Sequence, residues 1–194
     1  MPSMIIRRAG LAVLAGGALT GGVVGCGAPA APPAAPPAAS QSQHNEQDAM
    51  FAQMMIPHHQ QAITMSEHEL AVGTDPAVKD LAGQIEQAQN PEILTMRGWL
   101  TGWHAPAVPD GMTGHHQGHG GMMSPQQMTD FQQSRGEQTD HLFLQMMIQH
   151  HQGAVDMARS EQQQGRAPQA KQLATSIVDS QQAQIAQMQH MLDH

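Results

Sequence analysis

The chain contains 194 residues and is rich in methionine and histidine, with 16 Met and 13 His against 3 Phe, 2 Trp and no Tyr. Its formal net charge of −8 at pH 7 excludes a nucleic-acid-binding surface, because contacts to phosphates require an excess of Lys and Arg. With so few aromatic residues, aliphatic side chains and methionine must fill the core, so packing explains part of the methionine excess.

The N-terminal segment, residues 1–25, is predicted to be a bacterial lipoprotein signal peptide. Arg7 and Arg8 precede the run AGLAVLAGGALTGGVV, which is apolar but too rich in glycine for a permanent membrane span. The run ends in VVGC at residues 23–26, which resembles a lipobox and implies cleavage before Cys26 and lipidation of its thiol. We therefore expect an exported protein that is lipid-anchored to the outer face of the bacterial cell membrane or in the periplasm. A secreted protein with a free thiol is the alternative.

Cys26 is the only cysteine of the chain. An intrachain disulfide is therefore excluded, and so is a cluster of thiolates around a metal ion. A lipidated thiol would also be unable to bind a metal.

Residues 26–43 are rich in proline and alanine, a composition that predicts an extended spacer between the anchor and the folded domain. The domain itself is predicted over residues 44–194. Within it, residues 50–100 align without a gap with residues 142–192, and 21 of the 51 aligned positions are identical. This similarity indicates a tandem duplication, with repeat units at about 48–100 and 140–192.

Each repeat unit is predicted to fold as a helical hairpin. Gly73 ends the first helix, and Asp75 with Pro76 starts the next one as N-cap and first helical residue. Gly165 and Pro168 repeat these signals in the second unit. Neither hairpin can cover its own apolar face, so the two together predict an all-α four-helix bundle. The heptad positions expected to be buried in the first helix are 48, 51, 55, 58, 62, 65 and 69.

The segment between the units, residues 104–123, is predicted to be an irregular loop, because glycine and proline interrupt regular structure there. Ser124 and Pro125 then start a short helix that extends to about Ser134. Gly136 separates this short helix from the long first helix of the second unit.

The same Met and His pairs occur in both units, as QMMIPHHQ at residues 53–60 and QMMIQHHQ at residues 145–152. On a helix, each of these methionines lies four residues before a histidine. Side chains at that spacing converge, as two ligands of one metal ion must. The repetition of this pattern predicts a metal site in each unit.

Folding the first hairpin about its turn places Met96 opposite Phe51 and Gln89 opposite His58. A methionine of the second helix should therefore join the Met and His pairs of the first helix. The predicted metal ligands are Met54, Met55, His58, His59, Met65 and Met96 in the first unit, and Met146, Met147, His150, His151, Met157 and Met188 in the second.

The mixture of thioether and imidazole ligands points to copper. Thioether sulfur is a soft ligand that suits Cu(I), binds Zn²⁺ poorly and does not suit Ca²⁺ or Mg²⁺, whereas imidazole accepts Cu(I), Cu(II) or Zn²⁺. We therefore expect Cu(I), and thioether and imidazole suit a site outside the cytoplasm because they survive there better than a thiolate does. Ordinary packing is the alternative, because methionines at helical spacing often fill a core and a buried histidine is often a hydrogen-bonded polar group.

Other polar residues are weaker ligand candidates. Asp48 and Asp140 occupy the same position in the two units, and they could orient imidazole N–H groups. Alternatively, they could act as charges at helix ends, as Glu69 and Glu161 could. The loop is rich in glycine and could wrap around an ion without a preformed cage. Its candidate ligands are His115, His116, His119, Met122 and Met123.

The pattern D-x-x-F-x-x-M-M-I-x-H-H-x-x-A, at residues 48–62 and 140–154, resembles domain-of-unknown-function family 305. The second helix of the first unit, which extends to Trp99 and beyond, is similar to that family as well. The resemblance implies a ferritin-like helical bundle, often found in exported bacterial proteins, with some relatives linked to periplasmic copper handling. The second unit departs from the pattern after Met188, since Met191 stands at the position of Trp99.

The leading hypothesis is a copper-binding protein that sequesters or delivers Cu(I) in the cell envelope, with an unidentified copper-delivery or efflux protein as partner. A redox enzyme that uses copper or iron is an alternative. Ferritin-like di-iron sites use Glu-x-x-His pairs, however, and the chain contains none. A surface lipoprotein without a metal, whose methionines absorb oxidants, is the third hypothesis.

Overall fold

The computed structural model describes residues 43–106 and 120–193. All regular secondary structure in these residues is helical, which confirms the all-α prediction. None of the described helices is long and apolar enough to cross a membrane. The predicted signal peptide, Cys26, nearly all of the spacer and the loop histidines 115, 116 and 119 lie outside the described residues. The helices are α1 (Glu46–Val72), α2 (Pro76–Gly102), α3 (Pro125–Gln133), α4 (Glu137–Gln164) and α5 (Pro168–Leu192).

The turns between α1 and α2 and between α4 and α5 confirm the predicted helix boundaries. α1 ends before Gly73, and α2 begins at Pro76 after the N-cap Asp75, whose carboxylate accepts hydrogen bonds from two backbone N–H groups of the first turn. Gly165 and Pro168 occupy the equivalent places 92 residues later. The α1–α2 and α4–α5 connections therefore share these glycine and proline positions, but the N-cap of α5, Ala167, makes no side-chain hydrogen bond.

The short helix α3 also has the predicted boundaries. Ser124 caps its N-terminus, and Ser134 is its C-cap. Gly136 then precedes α4 with a φ of 64°, a left-handed conformation that favours glycine.

Gly73 and Gly165 are required by close packing rather than by backbone conformation, since their φ angles are −65° and −66°. A Cβ atom at position 73 would lie 2.0 Å from Oε1 of Glu69, and one at position 165 would lie 2.1 Å from Oε1 of Glu161. A buried carboxyl group thus fills the space beside each turn, and a larger residue would displace it.

α1 packs along α2, α4 packs along α5, and the two pairs meet through α1 and α4, while α3 lies against α4. The heptad positions predicted in α1 are all buried. Buried apolar side chains form a first cluster, which includes Phe51 and Met55, and a second cluster, which includes Met65 and Met147. Each cluster draws on α1, α2, α4 and α5.

The two apolar clusters are separated by a layer of histidines. Along α1 the first cluster ends at Ile56 and the second begins at Ala62. Along α4 the order is reversed, because the second cluster ends at Met147 and the first begins at Ala154. The histidine doublets of α1 and α4 occupy both gaps, so the histidine layer consists of His58, His59, His150 and His151.

Candidate metal centre

His58 and His150, which are equivalent in the two repeat units, lie side by side in the interior. Their ring centroids are 3.7 Å apart, and neither residue is more than 1% exposed. Nε2 of His58 lies 2.7 Å from the carbonyl oxygen of Gly120, so this nitrogen carries the proton and donates it. Nδ1 of His58 therefore presents a lone pair, and it has no hydrogen-bond partner among the described residues. Neither ring nitrogen of His150 has one.

His59 and His151 are each held by a side chain of the second helix of their own hairpin. Nε2 of His59 lies 2.7 Å from Oε2 of Glu92, and Nε2 of His151 lies 2.8 Å from Oε1 of Gln184. Because both partner atoms are acceptors, Nε2 carries a proton in each ring, which leaves Nδ1 as the nitrogen that can bind a metal ion. Both Nδ1 atoms are buried and lack a hydrogen-bond partner within the described part of the chain.

Burial keeps the rings of His58, His150 and His151 neutral. Burial, reinforced by the neighbouring ring of His59, lowers the pKa of His58 to about 3, and burial lowers the pKa of His150 well below its ordinary value. Burial also lowers the pKa of His151 to about 4, although its hydrogen bond with Gln184 opposes the shift. Neutral imidazole is the form that binds metal ions, so no proton has to leave before an ion can bind at neutral pH.

The unpartnered nitrogens have an energetic cost. A buried polar atom without a hydrogen bond destabilises a fold by about 1–3 kcal/mol. The layer contains five such nitrogens, counted as one each in His58, His59 and His151 and two in His150. One of the two His150 nitrogens carries the proton of the neutral ring, so a soft cation bound to the lone pairs of the other nitrogens would offset part of this cost, which is how the donor set fits a metal.

Buried methionines lie on both sides of the histidine layer. Each group combines side chains from both repeat units, whereas the sequence predicted one site within each hairpin. The methionines are Met55 and Met96 in the first cluster, with Met157 packed against it, and Met65, Met123, Met147 and Met188 in the second.

The remaining methionine candidates are less buried. Met54 and Met146, the other members of the two doublets, are half-buried, and so is Met122. Met123 is only 4% exposed. Gln61 holds it by donating to its carbonyl oxygen and accepting from its N–H group. The end of the loop that precedes α3 is thereby fixed to α1.

Within residues 43–106 and 120–193, no three His, Cys, Asp or Glu side chains lie close enough together to hold one metal ion. The donors present in this interior are imidazole nitrogens in the layer and thioether sulfurs in the clusters on either side. That combination suits Cu(I) and Ag(I) better than harder cations.

The hydrogen bond between His59 and Glu92 joins two side chains that the expected pairing of α1 and α2, with Gln89 opposite His58, did not bring together. Helical side chains lean toward the N-terminus of their own helix, so His59 leans away from the turn while Glu92 leans toward it. Glu92 and Gln184 were not among the residues predicted for the site. The available signal was that each is a polar residue 33 positions after the second histidine of a doublet.

Asp48 and Asp140 accept hydrogen bonds at helix ends, which agrees with the second of the two roles expected for them. The carboxylate of Asp48 accepts hydrogen bonds from the backbone N–H groups of residues 166–167, in the α4–α5 turn. The carboxylate of Asp140 accepts them from residues 74–75, in the α1–α2 turn. Because these oxygens already satisfy helix-end N–H groups, each aspartate ties one hairpin to the turn of the other instead of binding metal or orienting imidazole.

Glu69 and Glu161 are buried beside these aspartates. Burial and the neighbouring Asp140 raise the pKa of Glu69 to about 8, and burial and the neighbouring Asp48 do the same for Glu161. Burial also acts to raise the pKa of each aspartate, but hydrogen bonds outweigh it and lower that pKa. Each turn therefore contains a protonated glutamate next to an ionised aspartate at neutral pH.

Residues 48–192 match the family model described as a domain of unknown function, DUF305. The chain belongs to the DUF305 family. This assignment confirms the resemblance carried by the two Met and His motifs. No curated protein sequence matches this DUF305 chain.

Three solved structures illustrate the similarity. A DUF305 protein from Streptomyces coelicolor, inferred to be secreted, is 34% identical over 76% of this chain and 92% of its own, with a TM-score of 0.69. A DUF305 fragment from Deinococcus radiodurans is 30% identical over 77% of this chain and 97% of its own, with a TM-score of 0.70. CopM in its Cu(II)-bound form is 37% identical over 75% of this chain and 95% of its own, with a TM-score of 0.66. CopM structures in Cu(I)-bound, silver-bound and apo forms match as well.

Proposed function

We propose that this DUF305 protein binds copper in its histidine layer and sequesters or transfers Cu(I) in the cell envelope without catalytic turnover. The observation that carries the proposal is the set of buried imidazole nitrogens that present lone pairs and lack hydrogen-bond partners. Soft cations satisfy such nitrogens, and thioether sulfurs complete the coordination.

The proposed ligands form two halves related by the repeat. His58 and His59 with Met55 and Met96 form one half, and Met157 packs close to them. The other half consists of His150, His151, Met147, Met188 and Met65. Of these residues, only Met65 belongs to the first repeat unit. Met54, Met146 and the loop residues His115, His116, His119 and Met122 are proposed as ligands that capture the ion first.

The similarity to CopM, which has been solved with Cu(II), Cu(I) and silver, supports copper as the metal. The Streptomyces coelicolor relative, inferred to be secreted, supports export. Lipid attachment at Cys26, the domain boundaries and a ferritin-like arrangement of the four long helices as two repeated hairpins belong to the same proposal.

A Cu(I) titration against a competing chelator tests the proposal. The full-length chain carries Cys26→Ser so that the single thiol contributes nothing, and Met55, Met96, Met147 and Met188 are changed together to Leu. This substitution removes the sulfurs but conserves side-chain volume, so the fold should persist. We expect the Cu(I) affinity to fall roughly 10-fold or more, since even the loss of an outer partner of a ligand costs 10- to 100-fold. Met50→Leu is the control, because Met50 is 43% exposed.

The histidines are tested in the same background. Replacing all four histidines of the layer by Gln should lower both the affinity and the number of ions bound. Unchanged stoichiometry and affinity in that variant would refute the proposal. Oxygen consumption by the copper-loaded samples tests the alternative of a redox enzyme.

A further inference from the structure

The two halves of the histidine layer differ at one equivalent position. His59 and His151 are both fully buried and both donate through Nε2 to a residue 33 positions later. That residue is Glu92 in the first unit and Gln184 in the second, and the two hydrogen bonds have nearly the same length, 2.7 and 2.8 Å. The geometry of this hydrogen bond is therefore the same in the two halves, but only the first half has a charged acceptor.

The carboxylate and the amide affect a metal-binding imidazole differently. A carboxylate that accepts the Nε2 proton pulls it toward itself and increases electron density at Nδ1, and it adds a negative charge that an amide lacks. A negative charge near a site stabilises a divalent ion more than a monovalent one, because the Coulomb energy is proportional to the charge of the ion. Gln184 orients the ring of His151 equally well but supplies no charge.

The carboxylate of Glu92 lies where its negative charge can act on an ion bound to His59. Its side chain is 19% exposed, while the ring of His59 is 0% exposed and its Nδ1 faces the interior. Water therefore screens the interaction between the carboxylate and an ion at Nδ1 only in part, as the effective dielectric constant of a protein interior is far below that of water.

We propose that Glu92 is a specificity-determining residue that makes the His59 half of the layer the preferred position for Cu(II). The His151 half, with the neutral Gln184, is selective for monovalent soft ions, Cu(I) and Ag(I). This inference rests on the proposed copper-binding function, and it assigns unequal roles to two sites that the repeat makes similar in ligand type.

Reciprocal substitutions test the proposal in the full-length Cys26→Ser chain. Glu92→Gln gives His59 an amide as its hydrogen-bond acceptor, and Gln184→Glu gives His151 a carboxylate. The double variant exchanges the amide and the carboxylate between the two halves. Cu(II) and Ag(I) are the probes, and the affinity of each is measured by competition with a chelator. Circular dichroism and the melting temperature of the apo-protein establish that the near-isosteric variants are folded.

We expect Glu92→Gln to weaken the tighter Cu(II) site by roughly 10- to 100-fold while Ag(I) affinity changes much less. Gln184→Glu should create a second tight Cu(II) site, and the double variant should bind Cu(II) about as the parent chain does. Equal losses of Cu(II) and Ag(I) affinity in Glu92→Gln, or no change in either, would overturn the assignment. No gain of Cu(II) affinity in Gln184→Glu would overturn it as well.

The failure of this inference is distinguishable from the failure of the proposed function. If the variant lacking all four layer histidines binds copper as tightly as the parent does, the copper site itself is misplaced. If that variant loses copper but the Glu92 and Gln184 variants retain the Cu(II) and Ag(I) affinities of the parent, the function stands and only the unequal roles are wrong.

Discussion

The imidazole ring of His58 packs against that of His150, with ring centroids 3.7 Å apart and an angle of 35° between the ring planes. These residues occupy the same position in the two repeat units, 92 residues apart in sequence. Because His58 lies on α1 and His150 lies on α4, the proposed copper site is centred on the junction of these two helices.

Replacing His150 by Leu should separate stability from copper binding. Both ring nitrogens of His150 are buried without a partner in the part of the chain that the structure describes, so their removal should leave the apo-protein as stable as before or stabilise it by about 1–2 kcal/mol. The Cu(I) affinity should fall in the same variant. Urea denaturation and chelator competition measure the two effects, and His141→Leu, at an exposed position of α4, is the control. Loss of stability without loss of affinity would indicate that His150 is a structural residue.

Glu69 and Glu161 should make the apo-protein less stable as the pH rises. Their pKa values of about 8 in the fold exceed the ordinary value of 4.5, so the folded state binds more protons than the unfolded state between these limits. Stability is then fully present below pH 4.5 and is lost as the pH rises through 8, by at most about 1.4 kcal/mol per pH unit for each glutamate.

The double variant Glu69→Gln with Glu161→Gln should flatten this dependence. The free energy of unfolding is compared at pH 7.5 and pH 8.5, which lie above the ordinary histidine pKa of about 6.5 and on either side of the glutamate pKa of about 8. The exposed residue Glu67 provides the control Glu67→Gln. An equally steep decline in the double variant would show that other groups are responsible.

The buried histidines should determine stability on the acidic side. The pKa values of His58 and His151, about 3 and about 4, lie below the ordinary value of 6.5, so the unfolded chain binds more protons in this range. Their contribution is present above pH 6.5 and is lost as the pH falls toward 4 and 3. His58→Gln should therefore weaken the decline in the free energy of unfolding between pH 6.5 and pH 4.5. If the slope is unchanged, His58 is not buried and neutral in solution.

Gly153 should tolerate no side chain. A Cβ atom there would lie 1.7 Å from the carbonyl oxygen of Gly120, the group that accepts the proton of His58. Gly153→Ala should cost about 1–3 kcal/mol and expose the amides of residues 120–123 to hydrogen exchange. Gly98→Ala is the matched control, since a Cβ there meets no atom within 4 Å and alanine should stabilise α2 by about 1 kcal/mol. Equal effects of the two changes would contradict the close contact.

The helices and their ends could be predicted from the sequence because they depend on neighbouring residues. Heptad spacing located the buried face of α1, and Gly73, Asp75, Pro76 and Gly136 marked boundaries that the structure confirms. The Met and His motifs identified the family for the same reason, since each is a short, continuous pattern on one helix.

Packing between segments far apart in the chain decided which side chains come together at the candidate site. Sequence spacing predicted one metal site in each hairpin, but the reversed order of the clusters along α1 and α4 places Met65 with Met147. Asp48 reaches the turn of the other hairpin for the same reason.

The amino-acid sequence by itself determined which residues lie on one face of each helix, because the helical period depends only on local backbone geometry. Only the tertiary structure decided that His58 meets His150, that His59 donates to Glu92, and that the Nδ1 atoms of His58 and His59 have no hydrogen-bond partner within the described residues. These contacts depend on the lean of side chains and on how helices far apart in the chain pack together, which local backbone geometry does not determine.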